Sequence, residues 1–210
     1  MVPIRIFILC LVGGLSCAAQ NPVSDTDQAH YEKQFTQYQH ATKNFTAAVR
    51  QILHLSGMKK PVLSLGKIYF QNPQGWLFIR YSKPAEEFVL LRDSKLYLQK
   101  KDKPLKVQSI NHENSFAMMR RFFQEDAQSW KKDFDVTMSE NEKSLVISLT
   151  PKKTTKTLPL IIQTCVNRQT FLPQQIHLVF EGKNEITYEF TQPQRNTALP
   201  SQLFEPPDAS

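Results

Sequence analysis

The chain has 210 residues, 40% of them hydrophobic and 21% charged, which is enough for one domain with a real core. Its formal net charge is +7 at pH 7, and the basic residues cluster at Lys59–Lys60 and from Lys95 to Lys106. Such a surface favours anionic lipid head groups or acidic partner surfaces, or is a solvated hairpin edge protected by lysines. After residue 20 no apolar run approaches the ~18 residues of a membrane helix, which excludes a protein that spans the bilayer with helices.

The first segment has the order of a secretory signal. A charged start with Arg5 is followed by an apolar run from Ile6 to Leu15 and then by small residues. We expect cleavage after Ala19, which gives a signal peptide of residues 1–19 and a single domain of residues 20–210. Removal of Arg5 lowers the net charge from +7 to +6.

The cysteines bear on the signal and on redox chemistry. The alternative reading of the N-terminus is a lipoprotein signal, in which Cys17 is the acylated first residue and anchors the protein to a membrane. With cleavage after Ala19, Cys10 and Cys17 leave and only Cys165 remains. A single cysteine excludes a disulfide framework, and beside a strand-like run it is typical of a small buried hydrophobic residue.

The segment from His30 to Leu55 has the period of a helix that ends at Gly57, with a cap at Asp25–Asp27. Its apolar residues recur at steps of three and four: Tyr31, Phe35, Tyr38, Phe45, Val49 and Ile52.

Strand patterns follow. Ile68 and Phe70 alternate with polar neighbours, the turn Asn72–Gly75 follows, and "WLFIRY", "EFVLL" and "KLYLQ" come next with short connectors. These connectors are too short for helical crossovers, so the pattern predicts an antiparallel meander.

A second helix is predicted over "NSFAMMRRFFQEDAQSW", with Asn114 or Ser115 as its cap. Strands then resume with "FDVTM", "SLVISL", "LPLIIQTCV", "QQIHLVF" and "EITYEF". The Pro-rich tail from Thr191 is expected to lie on the surface or to fray. The residue patterns together predict eight or nine strands and two main helices.

Polar groups that could perform catalysis do not converge in the sequence. The five histidines are scattered without metal-pair spacing, and no nucleophile elbow, phosphate loop or dinucleotide fingerprint is present. We therefore expect no catalytic residues, no bound metal and no cofactor. Nucleic-acid binding is disfavoured because the aromatic residues alternate with Leu and Ile rather than with cations.

Several strands are apolar on both faces, whereas one face of an antiparallel sheet usually meets water. The second face is covered either by the protein's own helices, with no cavity, or in part by an apolar ligand. Met118 and Met119 on the second helix are suited to repacking around variable apolar ligands, although they are also ordinary core residues.

Six segments resemble the outer-membrane lipoprotein carrier protein family, the LolA-like proteins. They are "GKIYFQNP", "FIRYSKP" with Tyr81 and Pro84, "LLRDSKLYLQ", "SFAMMRR", "SLVISLTPK" with Leu149, Pro151 and Lys152, and "NTALPSQLFEPP". The resemblance extends roughly from Phe35 to Pro207. It implies an α+β, mainly β fold: an unclosed antiparallel β-barrel of about 8–11 strands, with helices covering the concave face.

The resemblance also implies a function. Members of this family are periplasmic, non-enzymatic carriers that bind the acyl chains of lipoproteins in an apolar cavity. They receive acylated lipoproteins from an inner-membrane lipoprotein-releasing ABC transporter and deliver them to an outer-membrane acceptor. For this chain the resemblance implies a monomer in the periplasm. The alternatives are a lipid-anchored outer-membrane acceptor or sensor of the same fold, and a binder of another hydrophobic ligand such as a glycolipid.

The residues that would contact or back the bound acyl chains lie on the strands and on the second helix. They are Trp76, Phe78, Phe88, Leu90, Phe116, Met118, Met119, Phe122 and Phe123. Asn72 stands where the best-studied branch of the family has an arginine that latches the lid, and Phe78 stands where many relatives have a basic residue. The candidates for holding the lid are Asn72, Arg80, Arg120 and Arg121.

Overall fold

The computed structural model describes residues 21–110, 115–155 and 157–206. Within these ranges the helices are α1 (Asp25–Ala41), α2 (Ser115–Gln124) and α3 (Ala127–Asp133). The strands are β1 (Asn21–Pro22), β2 (Asn44–His54), β3 (Val62–Gln71), β4 (Trp76–Lys83), β5 (Glu87–Arg92), β6 (Lys95–Lys100), β7 (Lys106–Ser109), β8 (Phe134–Glu140), β9 (Ser144–Pro151), β10 (Ile161–Asn167), β11 (Pro173–Phe180) and β12 (Asn184–Arg195). Short 3₁₀ turns lie at Glu181–Lys183 and Ser201–Phe204.

All twelve strands form one antiparallel sheet in the order β1-β8-β9-β10-β11-β12-β2-β3-β4-β5-β6-β7. The sheet is not closed into a barrel, which confirms the predicted fold class. The described ranges contain more strands than the 8–11 expected, partly because β1 is a two-residue strand without a sequence pattern of its own. None of the helices in these ranges is both long enough and apolar enough to cross a bilayer.

The strand order explains why helices cover one face of the sheet. β7 is one edge strand, whereas β8 lies beside the other edge. The connection between them must therefore cross the whole width of the sheet, and α2 and α3 lie in this connection. We call the face that the helices cover the inner face, and the opposite face the outer face.

Alternation along the strands assigns side chains to the two faces. One row across β2 to β6 is fully buried on the inner face: Phe45, Phe70, Leu77, Leu91 and Leu96. The next row, one residue along each strand, points outward and is more accessible. The main core therefore lies between the inner face and the helices.

The prediction of one helix up to Leu55 was wrong. α1 ends at Ala41, and β2 begins at Asn44. Phe45 and Val49 fit a helical step of four, but they also fit the strand period of two that includes Ala47 between them, and all three are buried. The Thr42 hydroxyl donates to the Tyr38 carbonyl at 2.7 Å as the helix ends.

The predicted second helix is two helices. α2 ends at Gln124, and Asp126 caps α3 by accepting a hydrogen bond of 2.7 Å from the Ser129 amide. An aspartate that bonds the backbone two or three residues ahead starts a new helix more readily than it continues an old one. The predicted cap Asn114 lies outside the described residues, and Ser115 is the first helical residue rather than the cap.

The C-terminal segment packs more closely on the protein than we predicted from its composition. β12 continues to Arg195, and Phe204 is only 1% exposed. The Phe204 ring packs 6.0 Å from the Trp76 ring, and its carbonyl accepts a hydrogen bond of 2.9 Å from Arg92. The chain thus covers part of its own outer face.

Candidate hydrophobic ligand-binding site

The underside of α2 is the most apolar helical surface in the described part of the chain. Met118, Met119, Phe122 and Phe123 recur at helical spacing, and each is at least 95% buried. Phe116 is half-buried against the same core. All five predicted helix residues therefore lie in the layer between α2 and the sheet, or at its border.

Phe123 anchors α2 on the central strands. Its ring centroid lies 4.8 Å from that of Phe45 on β2, 5.0 Å from Phe70 on β3 and 6.5 Å from Phe190 on β12. Aromatic pairs at these separations add about 0.5–1.5 kcal/mol beyond the burial of their area. This contact is apolar, so another apolar surface of the same shape could replace it.

A second aromatic cluster joins the three helices. Phe35 of α1 lies 5.6 Å from Phe122 of α2 and 5.3 Å from Trp130 of α3. Phe122 and Trp130 stack at 5.9 Å. α1 is thereby the fixed support on which α2 and α3 rest, because its own end continues directly into β2.

The space between the helices and β8 to β10 is almost closed. A gap of about 10 Å³ is lined by the side chains of Met118, Arg121, Phe122, Trp130, Phe134, Leu149 and Ile162. This volume is at the lower limit for one water molecule. A larger ligand can enter only if α2 or α3 moves.

An open groove of about 340 Å³ lies next to this gap. Arg121 and Phe134 line both spaces. Lys132, Lys152 and Lys153 are among the residues that line the groove but not the gap. The groove therefore leads from a basic surface to the apolar gap, and Arg121 stands between them.

Arg121 makes the principal polar contacts at this boundary. It donates to Glu125 and to Asp133 at 2.8 Å each, and its guanidinium carbon lies 5.1 Å from the centre of the Phe134 ring. Burial alone would lower the pKa of the guanidinium, but the hydrogen bonds to Glu125 and Asp133 outweigh burial and raise the pKa. Arg121 thus ties α2 to α3 and to the first residue of β8.

Two glutamines fix the end of α2. The Gln39 amide of α1 donates to the carbonyls of Phe122, at 2.9 Å, and Glu125. The Gln124 amide donates to the Pro73 carbonyl in the β3–β4 turn at 2.9 Å. The bonds from Gln39 occupy carbonyls at the end of a helix that lack partners within it. We use the name latch for these bonds of Gln39 and Gln124 together with the contacts of Arg121.

The start of α2 rests on Tyr188, which is fully buried on β12. Burial raises the pKa of Tyr188 to about 12, and hydrogen bonds with Ser115 and Gln51 oppose this rise. Burial also raises the pKa of Tyr81, whose hydroxyl has no hydrogen-bond partner among the described residues. The Trp130 indole N–H, beside the gap, likewise has no acceptor there.

The predicted strand residues and the predicted helix residues lie on opposite faces of the sheet. Trp76, Phe78, Phe88 and Leu90 lie on the outer face, because they alternate with the inner-face residues of β4 and β5. Phe78 packs 6.0 Å from Phe88 across the two strands. These four residues back the sheet and do not line the space beneath α2.

The four residues predicted to hold the lid have different positions. Arg121 belongs to the latch, and Arg120 lies half-buried on the same helix. The Asn72 amide donates to the Thr42 carbonyl at 3.1 Å, so it fixes the turn that Gln124 contacts rather than the helix itself. Arg80 is exposed on the outer face, opposite to the helices.

Sequence reasoning missed Gln39, Gln124, Asp133 and Trp130. Gln39 could have been found, because it lies four residues after Phe35 on the apolar stripe of α1, where a buried amide must be hydrogen-bonded. Asp133 and Gln124 carry no such signal, since their partners depend on the fold.

The polar residues of the described part form no metal site: His, Cys, Asp and Glu nowhere gather there in groups of three that could hold an ion. Cys165 is buried on β10, 3.5 Å from the side-chain oxygen of Gln174. The interior beneath α2 offers an apolar surface with a few hydrogen-bonding groups, which is suited to binding an apolar molecule.

Comparisons with known proteins agree with this geometry. Residues 40–207 match the family described as outer membrane lipoprotein carrier protein LolA. A search of curated protein sequences gives no match. MucB shares the fold with a TM-score of 0.54 at 14% identity, over 86% of this chain and 63% of MucB. An uncharacterized conserved protein from Thermus thermophilus has a TM-score of 0.51 at 10% identity, over 87% of this chain and 96% of its own.

Proposed function

Because the chain belongs to the outer membrane lipoprotein carrier protein LolA family, we propose that it carries acylated lipoproteins. The acyl chains would lie between the inner face of the sheet and the pair α2–α3. In this proposal the protein is a monomer without catalytic activity, and residues 1–19 direct it to the periplasm.

One observation carries the proposal. α2 contacts the sheet mainly through replaceable apolar side chains such as Met119 and Phe123, whereas its polar attachments lie at its ends and at Arg121. A cover built in this way can lift when the polar contacts open. The inner face beneath the helices is apolar from β8 on one side of the sheet to β6 on the other.

The energetics fit the exchange of one apolar cover for another. Each buried methylene contributes about 0.8 kcal/mol, so an acyl chain of roughly sixteen carbons contributes on the order of 12 kcal/mol. The helix side chains that the acyl chain displaces lose apolar contacts of the same kind. The free-energy difference between the closed state and the ligand-bound state is therefore small enough to reverse. Binding and release can then be decided by the latch and by the partner that receives the cargo.

The polar atoms beside the gap support an acylated ligand rather than a pure hydrocarbon. A buried donor without a partner costs about 1–3 kcal/mol. The Trp130 N–H has no acceptor among the described residues, and the ester or amide carbonyl of an acyl group that enters the gap would accept its hydrogen bond. The basic groove beside Lys152 and Lys153 would face the polar part of the ligand.

In the proposed cycle the protein receives lipoproteins from an inner-membrane ABC transporter and gives them to an outer-membrane acceptor. A release assay tests the cycle. Purified protein is added to spheroplasts of its host, and the supernatant is analysed for lipoproteins. The proposal expects soluble one-to-one complexes with acylated lipoproteins, and it expects Phe123→Glu to abolish them while Phe78→Glu, on the outer face, retains them.

The other outcomes separate the alternatives. Absence of release, with a free lipid recovered by organic extraction of the purified protein, would replace lipoproteins by another hydrophobic ligand such as a glycolipid. A mature protein whose first residue is an acylated Cys17, found by mass spectrometry, would favour a lipid-anchored acceptor. Absence of any bound lipid or lipoprotein would contradict the carrier function.

A further inference from the structure

Exposed apolar side chains are concentrated in one hairpin. In the described part of the chain, seven large hydrophobic residues are at least 37% exposed, and five of them lie between residues 55 and 65. They are Leu55, Met58, Val62, Leu63 and Leu65. The hairpin formed by β2 and β3 thus carries an apolar tip that the rest of the protein does not cover.

The strand register explains this exposure. β3 pairs with β2 as far as Val62, but its pairing with β4 ends at Leu65, opposite Lys83. Residues 62–64 therefore form a sheet edge with one neighbour only, and the connection 55–61 is exposed at every residue. The hairpin projects beyond β4 and offers both side chains and an unpaired strand edge to solvent.

Along the chain this stretch carries charge of one sign, and the nearest acidic residue in the sheet is Glu185 of β12, opposite His54 at the base of the hairpin. From residue 33 to residue 85 the chain has eight Lys or Arg residues and no Asp or Glu. Lys59 and Lys60 follow Met58 directly at the tip, and both are exposed. Apolar side chains and cations thus occur together at the end of the hairpin.

A cleft on the outer face adjoins the hairpin at Leu65. It has a volume of about 930 Å³, and Leu65, Lys67, Tyr69 and Arg80 are among the residues that line it. Its two acidic residues are paired: Glu189 lies 2.5 Å from Arg50 in the same cleft, and Glu86 lies 3.9 Å from Lys101. Lys67 and Arg80 remain directed at the same open surface as the apolar residue Leu65.

We propose that the β2–β3 hairpin docks the protein on the surface of a membrane that contains anionic phospholipids. Leu55, Met58 and Leu63 would enter the interface between head groups and acyl chains. Lys59 and Lys60 would contact the phosphates. A bilayer offers negative charge and apolar depth together, and apolar residues flanked by lysines bind such an interface by both contributions. An acidic protein would satisfy the lysines but not the exposed apolar tip.

This inference goes beyond the carrier function and does not depend on it. The hairpin tip shares no residue with the latch or with the underside of α2. Docking through the hairpin would hold the protein at a bilayer while α2 and α3 remain free to move. A variant of the hairpin should therefore lose membrane binding and keep ligand binding.

The test is co-sedimentation of purified protein with vesicles of phosphatidylcholine alone and of phosphatidylcholine with phosphatidylglycerol in equal parts. We expect binding to the anionic vesicles only. The double variant Met58→Glu/Leu63→Glu should lower the partition constant about tenfold or more. Lys59→Gln and Lys60→Gln should each lower it about fivefold, because a lysine near an anionic surface contributes about 1 kcal/mol.

The matched control is Ile161→Glu, since Ile161 is a similarly exposed apolar residue on β10. It should bind like the original protein. A second readout is the Met58→Trp variant, whose added indole should shift its emission to shorter wavelength on the anionic vesicles. Absence of binding to these vesicles would overturn the proposal. So would binding that the hairpin variants leave unchanged, or a loss that Ile161→Glu shares.

Discussion

Arg121 of α2 donates a hydrogen bond of 2.8 Å to Asp133 at the end of α3. The same guanidinium pairs with Glu125 and lies over the ring of Phe134, the first residue of β8. One side chain thus joins both covering helices to β8, next to the edge strand, at the entrance of the apolar gap. In the proposed carrier, these contacts would have to break before α2 and α3 could open.

Replacement of Arg121 tests this control. Arg121→Met keeps an apolar stem but removes the contacts to Glu125 and Asp133, which are partly exposed, so we expect a loss of about 1 kcal/mol in the stability of the closed lid. Amides of α2 and α3 should then exchange their hydrogens about fivefold faster. Hydrogen exchange followed by mass spectrometry measures this change.

The control is Arg50→Met, which removes an Arg–Glu pair on the outer face. It should lower the global stability without changing exchange in α2 selectively. If both variants changed the exchange of α2 equally, Arg121 would be an ordinary stabilising residue and not part of a latch.

A glycine tests the other end of the latch. Gly75 has φ of +68°, and a Cβ atom there would lie 2.6 Å from the Gln124 Oε1 atom. Gly75→Ala should therefore add backbone strain of roughly 1–2 kcal/mol and also displace the Gln124 side chain from Pro73. We expect faster hydrogen exchange at the end of α2.

Gly182 provides the matched variant, because its φ is +73° but the atom closest to an added Cβ is 3.5 Å away. Gly182→Ala should add only the backbone strain. Its melting temperature should be lower, and hydrogen exchange in α2 should not change relative to the rest of the protein. Selective loosening of α2 in both variants would contradict the role of Gln124.

The cap of α3 predicts a dependence on pH. Hydrogen bonds from the backbone and side chain of Ser129 lower the pKa of Asp126. A carboxyl group with a lowered pKa in the folded state stabilises the fold above its unfolded pKa of about 3.9, and this contribution is lost as pH falls through the folded value. Hydrogen-exchange protection of α3 should therefore fall below about pH 4.

Asp126→Asn separates the charge from the cap. Asparagine also caps helices well but does not titrate. Protection of α3 at neutral pH should be largely kept in this variant, and the part of its acid dependence that comes from Asp126 should disappear. An unchanged pH profile would show that another group causes the loss.

The sequence predicts the antiparallel sheet better than it predicts the helices. Short connectors and alternating residues in β4 to β6 are local signals, and they specify neighbouring strands without any long-range information. β2 was missed because Phe45 and Val49 fit both periods, and its partners β3 and β12 make it a strand. Tertiary pairing overrode an ambiguous local pattern.

The facing of the aromatic residues on β4 and β5 could not be predicted either. Both faces of "WLFIRY" are apolar, so hydrophobicity does not identify the inner one. Trp76 is covered by Phe204, more than one hundred residues later in the chain. On the second helix, spacing predicts one stripe of Phe116, Met119, Phe122 and Phe123, and all four pack against the core, because a stripe is a property of the helix alone.

The two tryptophans of the chain provide the most direct test of where the ligand binds. Trp130 lies beside the gap under the helices, and Trp76 lies on the outer face. The measurement is quenching of tryptophan fluorescence by a lipopeptide with brominated acyl chains, in Trp76→Phe and Trp130→Phe. Our account predicts strong, saturable quenching in Trp76→Phe, which keeps Trp130, and little in Trp130→Phe. Strong quenching of Trp76 with none of Trp130 would place the acyl chains on the outer face and contradict the account.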